Sequence, residues 1–149
     1  MISIVRTTSE NPDFDSLVKL LDVYLWKMYP ETQAQYDTFN VIFKNDTVVI
    51  AYLEAIPVGC GCFKQIDDTT VEIKRMFVEE EHRGKGISHL ILQELEEWAK
   101  ESDFQMALLE TLDRQTAAIG LYNKRGYKRT QNYGPYIDLE KSICMRKEL

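Results

Sequence analysis

The spacing of apolar residues changes several times along the chain, and each spacing predicts one kind of secondary structure. The stretch ISIV at residues 2–5 predicts a short strand. A helix is predicted to begin at Asn11-Pro12-Asp13, because asparagine caps helix N-termini, proline fits the first turn and an acid favours the positive end. The apolar residues that follow at helical spacing are Phe14, Leu17, Val18, Leu21, Tyr24 and Leu25. Pro30 ends this helix, and residues 31–43 are predicted as a second helix or a loop.

From Thr47 the pattern favours three consecutive antiparallel strands, at residues 47–53, 56–66 and 69–78, joined by tight turns. The third strand begins with regular alternation and then places Met76, Phe77 and Val78 side by side. This slip near Arg75 predicts a β-bulge, which re-aims the backbone and leaves groups unpaired.

A helix is predicted after the sequence HRGKG at residues 82–86. Its apolar face is expected to comprise Ile87, Leu90, Ile91, Leu95, Trp98 and Ala99, with Glu94, Glu96, Glu97 and Lys100 largely opposite. A buried strand at 106–110, a helix at 115–124 capped by Gly126, and a last strand at 143–149 complete the order. This order predicts an α/β fold (α+β by some schemes), a sheet whose faces are covered by helices.

Composition and charge narrow the class of protein. The 149 residues are 44% hydrophobic and 28% charged, which is typical of one soluble globular domain, here residues 1–149. The net charge of -6 disfavours broad nucleic-acid binding. We expect a cytoplasmic protein with no membrane contact, because there is no apolar run of spanning length and no signal peptide. Cys60, Cys62 and Cys144 form no disulfide framework and are interpreted as small buried residues.

The segment Arg83-Gly84-Lys85-Gly86-Ile87-Ser88 lies between a predicted strand and a predicted helix. Free N–H groups at a helix start bind phosphate, and glycines let the backbone come close to a ligand. The segment fits neither the phosphate-loop motif nor the dinucleotide fingerprint. From these residues alone, a phosphate site and a basic turn with no ligand both remain open.

The surrounding chain resembles the GNAT superfamily of acyl-CoA-dependent N-acetyltransferases over about residues 47–127. Arg83, Gly86 and Ser88 occupy the defined positions of the family's pyrophosphate loop, Q/R-x-x-G-x-G/A, with serine in place of the final glycine or alanine. The slipped strand before this loop and the segment AAIGLYNKRGYKR after it also match the family. Gln115 stands where many members have asparagine.

The resemblance implies a mixed, mostly antiparallel sheet of about six or seven strands, with a splayed, bulged strand pair that receives coenzyme A. The backbone from Met76 to Val78 would pair with the pantetheine arm like an added strand. The residues that would bind acetyl-CoA are Met76, Phe77, Val78, Arg83, Gly84, Lys85, Gly86, Ile87, Ser88, Gln115 and Lys124.

The resemblance also implies catalytic roles. Tyr122 would donate a proton to the departing thiolate, and either Glu72 or Glu110 would act as the base, with Glu72 favoured because its strand leads to the acetyl site. The candidates for the acceptor pocket are Arg75, Tyr29, Tyr133 and Tyr136.

We therefore expect an N-acetyltransferase that moves an acetyl group from acetyl-CoA to a primary amine, in a ternary complex and without a metal. The acceptor would be a small molecule, or alternatively a protein amine, and the resemblance is compatible with a homodimer. Two other hypotheses remain: a non-catalytic acyl-CoA-binding regulatory domain, and an interaction domain whose glycine loop binds nothing.

Overall fold

The computed structural model describes residues 1–31, residue 34 and residues 44–149. The predicted second helix or loop at 31–43 thus lies almost entirely outside the described residues. The elements in chain order are β1 (Ile2–Thr7), α1 (Pro12–Met28), β2 (Val48–Leu53), β3 (Ile56–Gln65), β4 (Thr70–Val78), α2 (Ile87–Glu101), β5 (Met106–Leu112), α3 (Thr116–Lys124), β6 (Lys128–Thr130) and β7 (Ser142–Glu148). Single 3-10 turns occur at Glu80–His82 and Gly134–Tyr136.

The described strands form one sheet in the order β1-β2-β3-β4-β5-β7-β6. Neighbouring strands are antiparallel except β4 and β5, which are parallel. The predicted mixed, mostly antiparallel sheet is therefore confirmed. The three-residue strand β6 was not predicted, because so short a stretch carries no periodic signal. Among the described residues, no helix combines the length and apolar character needed to cross a membrane.

Helix α1 covers one face of the sheet and begins as predicted. The Asn11 side chain accepts a hydrogen bond of 2.9 Å from the N–H of Asp13, which satisfies a donor at the helix start. The buried face of the helix packs on β2, β3 and β4 through Phe14, Leu17, Val18 and Leu21. Helix α1 therefore lies beside the second half of β4, where it contacts Phe77.

Helix α2 covers the opposite face, and its residues Ile91 and Leu95 contact β3 at Gly61. A Cβ atom on Gly61 would be 2.6 Å from Sδ of Met76 and 3.0 Å from Cδ1 of Leu95, so a larger residue there would displace the Met76 side chain. The predicted apolar face is correct except at Leu90, which is exposed, whereas Leu92 is fully buried. The buried face of α2 is therefore rotated slightly about the helix axis from its predicted position.

Glu96 also departs from the prediction, because it is 5% exposed rather than solvated. Its carboxylate accepts hydrogen bonds of 2.9 Å from the Tyr127 hydroxyl and 2.9 Å from Nζ of Lys147, and it also pairs with Arg125. These partners lie 29 to 51 residues further along the chain. A buried carboxylate is tolerated when it is paired in this way.

We predict that Glu96→Ala lowers the free energy of unfolding by about 3–5 kcal/mol, because it leaves two cationic groups without their shared partner. Urea unfolding at pH 7 measures the change. Glu97→Ala, on the exposed side of the same helix, is the control and should change stability by less than about 0.5 kcal/mol. Equal losses in the two variants would contradict the prediction.

Candidate active site

Strands β4 and β5 pair at one end and separate at the other. Their parallel pairing runs from Thr70 opposite Met106 to Ile73 opposite Leu109. Both strands continue beyond this point, β4 to Val78 and β5 to Leu112, without pairing to each other. The backbone edges that face each other across the gap are therefore available to a ligand.

A bulge in β4 stands at the start of this gap. On the β3 side Cys60 pairs with Phe77 and Cys62 with Lys74, so Arg75 and Met76 together oppose the single residue Gly61. Arg75 has a φ of 59°, which is rare for a residue with a side chain. The slip in the sequence near Arg75 thus predicted the bulge correctly.

The gap opens into a groove of about 230 Å³ between β4, β5, α1 and α3. Nine of the residues predicted for the site line it: Arg75, Met76, Phe77, Val78, Arg83, Ser88, Glu110, Gln115 and Tyr122. Residues from four separate stretches of sequence therefore meet at one place.

One end of the groove is the N-terminus of α2, which differs from the N-terminus of α1. Gly84 and Gly86 have φ values of 80° and 77°, in the left-handed region that glycine adopts without strain. Among the described residues no side chain caps this helix, and its first turn contains no acid. Helix α1, by contrast, is capped by Asn11 and has Asp13 and Asp15 in its first turn. The positive end of α2 is thus left open for an anion.

Arg83 fastens the loop before α2 to the end of β4. Its Nε donates a hydrogen bond of 2.9 Å to the carbonyl oxygen of Val78. Its guanidinium lies 4.8 Å from the ring centre of Tyr24 and 5.8 Å from that of Phe77, distances typical of cation–π contacts. The charge of Arg83 is therefore held at the groove between α1 and the loop.

The middle of the groove brings Tyr122 and Glu110 together. Burial raises the pKa of Tyr122 well above its usual value, and the nearby charge of Glu110 adds to the rise, so the phenol keeps its proton. Burial also raises the pKa of Glu110 to about 7, although Ser142 donates a hydrogen bond of 2.6 Å to its Oε2 atom. At neutral pH the site thus pairs a protonated phenol with a carboxyl group that can gain or lose a proton.

The sequence profile of the acetyltransferase (GNAT) family matches residues 12–127. The chain belongs to the GNAT acetyltransferase family. A protein of Azospirillum brasilense named IAA acetyltransferase is 32% identical over 150 residues, which cover 97% of this chain and 98% of the relative.

Solved structures share this fold. One from Klebsiella pneumoniae, assigned as an acyl-CoA N-acyltransferase, has a TM-score of 0.82 at 27% identity and covers 100% of this chain and 98% of its own. The PaiA N-acetyltransferase of Thermoplasma acidophilum, solved in complex with coenzyme A, has a TM-score of 0.73 at 17% identity, with 100% and 99% covered. Family and fold together make this chain a GNAT-type acyltransferase.

Glu72 lies outside the residues that line this GNAT groove, although it was the favoured base. It is 4% exposed, and its carboxylate accepts a hydrogen bond of 2.7 Å from the Tyr133 hydroxyl. Nζ of Lys74 lies 3.9 Å from Glu72 and donates to the Tyr136 hydroxyl at 3.2 Å. Glu72 and the two tyrosines therefore form a polar network beside the groove, joined to its lining through Lys74.

Tyr29 and Lys124 are also outside the lining. Tyr29 is completely buried, and its hydroxyl accepts a hydrogen bond of 2.7 Å from the N–H of Arg114. Lys124 is exposed in the last turn of α3. Arg75 does reach the groove, but it also forms an ion pair of 3.0 Å with Asp22 on α1.

Four of the predicted residues belong to the loop without lining the groove: Gly84, Lys85, Gly86 and Ile87. The side chain of Ile87 is buried in the core. The sequence also missed part of the groove wall: Leu21, Tyr24, Leu25, Thr111, Leu112, Ala117, Ala118 and Leu121. The α1 residues of this set were predicted as part of an apolar helix face. The sequence pattern does not show that the C-terminal part of this face borders a groove. In the described residues, no cluster of three or more metal-ligating side chains is present.

Proposed function

We propose that residues 1–149 act as a single domain that transfers an acetyl group from acetyl-CoA to a primary amine of a small molecule. Attack would be direct, within a ternary complex. The observation that carries this proposal is the groove itself, which runs from the open N-terminus of α2 to Glu110 and Tyr122 between splayed strands. A relative of the same fold solved with coenzyme A supports it.

The loop at residues 83–88 fits a pyrophosphate group. A Cβ atom added to Gly84 or Gly86 would meet nothing within 4 Å, so there is open space above both backbone positions. The uncapped N–H groups of Ile87 and Ser88 and the charges of Arg83 and Lys85 would bind the phosphate oxygens. Gln115 lines the same groove, and Lys124 would reach the outer phosphates.

The backbone of Met76 to Val78 would hold the pantetheine arm along the free edge of β4. The carbonyl of Val78 already accepts a hydrogen bond from Arg83, so the pantetheine arm would pair with the backbone groups of Met76 and Phe77. A backbone N–H near Phe77 or Val78 would stabilise the negative charge that develops on the acyl oxygen. When bound, acetyl-CoA supplies the acyl group as a thioester.

Two side chains would manage the protons. Glu110, whose pKa is about 7, would take a proton from the attacking amine directly or through water. Tyr122, which keeps its proton at neutral pH, would donate to the sulfur that leaves. Glu72 would support the site indirectly, because it lies outside the groove lining and its carboxylate accepts from Tyr133.

The acceptor would enter beside α1. Leu21, Tyr24 and Leu25 offer an apolar wall there, and Arg75 lies at its edge. Tyr133 and Tyr136 would act on the acceptor through the network that joins them to Lys74.

We predict that Ser88→Glu abolishes acetyl-CoA binding, because a carboxylate in the first turn of α2 would occupy and repel the phosphate site. Isothermal titration should show micromolar binding by wild type and none by the variant. His89→Glu is the matched control: it adds a carboxylate to the same turn at an exposed position outside the groove. Absence of binding by wild type would disprove the proposed function.

We predict that Tyr122→Phe lowers kcat by about 100-fold, because it removes the proton donor for the leaving thiolate. The Kd of acetyl-CoA should stay unchanged, since the ring still fills its place. A thiol-release assay with an acceptor amine measures kcat. A fall in kcat of less than about threefold would show that Tyr122 lines the groove without donating a proton in the reaction.

We predict that the pH profile of kcat/KM breaks near pH 7 in wild type, because Glu110 must lose its proton to act as the base. Activity should rise more steeply below this pH than above it. Glu110→Gln should remove the break, whereas Glu72→Gln should keep it. The reverse pattern would assign the base to Glu72.

A further inference from the structure

Two buried thiols lie on β3, on either side of the residue that opposes the bulge of β4. In β3, Gly59 and Gly61 face α2, whereas Cys60 and Cys62 alternate with them and face α1. The cysteines are 0% and 4% exposed and are not disulfide-bonded. The proposed mechanism gives them no role.

Each thiol donates a hydrogen bond to a carbonyl of the strand that carries the bulge. Sγ of Cys60 lies 3.4 Å from the carbonyl oxygen of Arg75, and Sγ of Cys62 lies 3.5 Å from that of Lys74. A carbonyl group that accepts a hydrogen bond from a side chain on one face of the sheet points out of the plane of the sheet, not toward the neighbouring strand. The positive φ of Arg75 produces such a turn at this position.

The size and chemistry of cysteine suit this place. The two side chains pack in the apolar cluster under α1, with Phe14, Leu17 and Phe77. Burial raises the pKa of Cys62 to about 12 and that of Cys60 further, so both thiols keep the proton they donate. A thiol is a weak donor whose desolvation costs little, which makes it suitable for a dry core.

We propose that Cys60 and Cys62 are positioning residues that fix the β4 bulge through the carbonyls of Arg75 and Lys74. They thereby set the direction in which the backbone of residues 76–78 faces the groove. The consequence for acetyl-CoA rests on the proposed function, whereas the consequence for the bulge does not.

The test compares the double variant Cys60→Ala/Cys62→Ala, which removes both donors, with Cys60→Ser/Cys62→Ser, which restores them. The alanine pair should raise the Kd of acetyl-CoA about tenfold, and the serine pair by less than about threefold. Cys144→Ala, which removes a buried thiol on β7, should leave the Kd unchanged. An alanine pair that binds like wild type, or a serine pair as weak as the alanine pair, would overturn the proposal.

Amide hydrogen exchange without ligand separates this inference from the proposed function. Amides at residues 76–78 should exchange faster in the alanine pair than in wild type and the serine pair, while those of β5 stay the same. Uniform acceleration would indicate general destabilisation and overturn the proposal. If the double alanine variant fails to fold, each single alanine variant should show a smaller change confined to the same amides, and unchanged exchange there would overturn the proposal.

Discussion

Strand β4 has one more residue than its partner can pair with, and the groove depends on that mismatch. Opposite Gly61 stand both Arg75 and Met76, and just before this point the pairing of β4 with β5 ends at Ile73. A bulge bends and twists its strand, which turns the second half of β4 away from β5. Gly61 leaves room for the Met76 side chain beside the bulge, because a Cβ atom at this position would be 2.6 Å from its Sδ.

The two long helices show how local sequence decides which helix end can bind an anion. Asn11 and the acids that follow it neutralise the start of α1 with groups from the chain itself. The start of α2 has glycines with positive φ and a nearby arginine instead. The groove reaches the first turn of α2 at Ser88. The helix N-terminus that faces the groove is therefore the one that no described side chain caps.

The elements with strong periodicity or local signals could be predicted from the sequence, and so could the bulge and the glycine loop. These features depend on residues that are neighbours in the chain. The burial of Glu96 could not be predicted, since Tyr127 and Lys147 reach it only after the chain has folded. Leu90 and Leu92 exchanged roles because periodicity finds a helix face but not the angle at which the sheet meets it.

The two candidate bases show the same limit for chemistry. Glu72 and Glu110 lie on adjacent parallel strands, and sequence position alone ranked Glu72 first. Tyr133, which comes from a distant loop, donates to Glu72 and leaves that carboxylate engaged. Glu110 accepts a hydrogen bond of 2.6 Å from Ser142 and stands in the groove beside Tyr122. Burial raises the pKa of Glu110 to about 7, so this carboxyl group can change its charge near neutral pH, and only the folded chain reveals that burial.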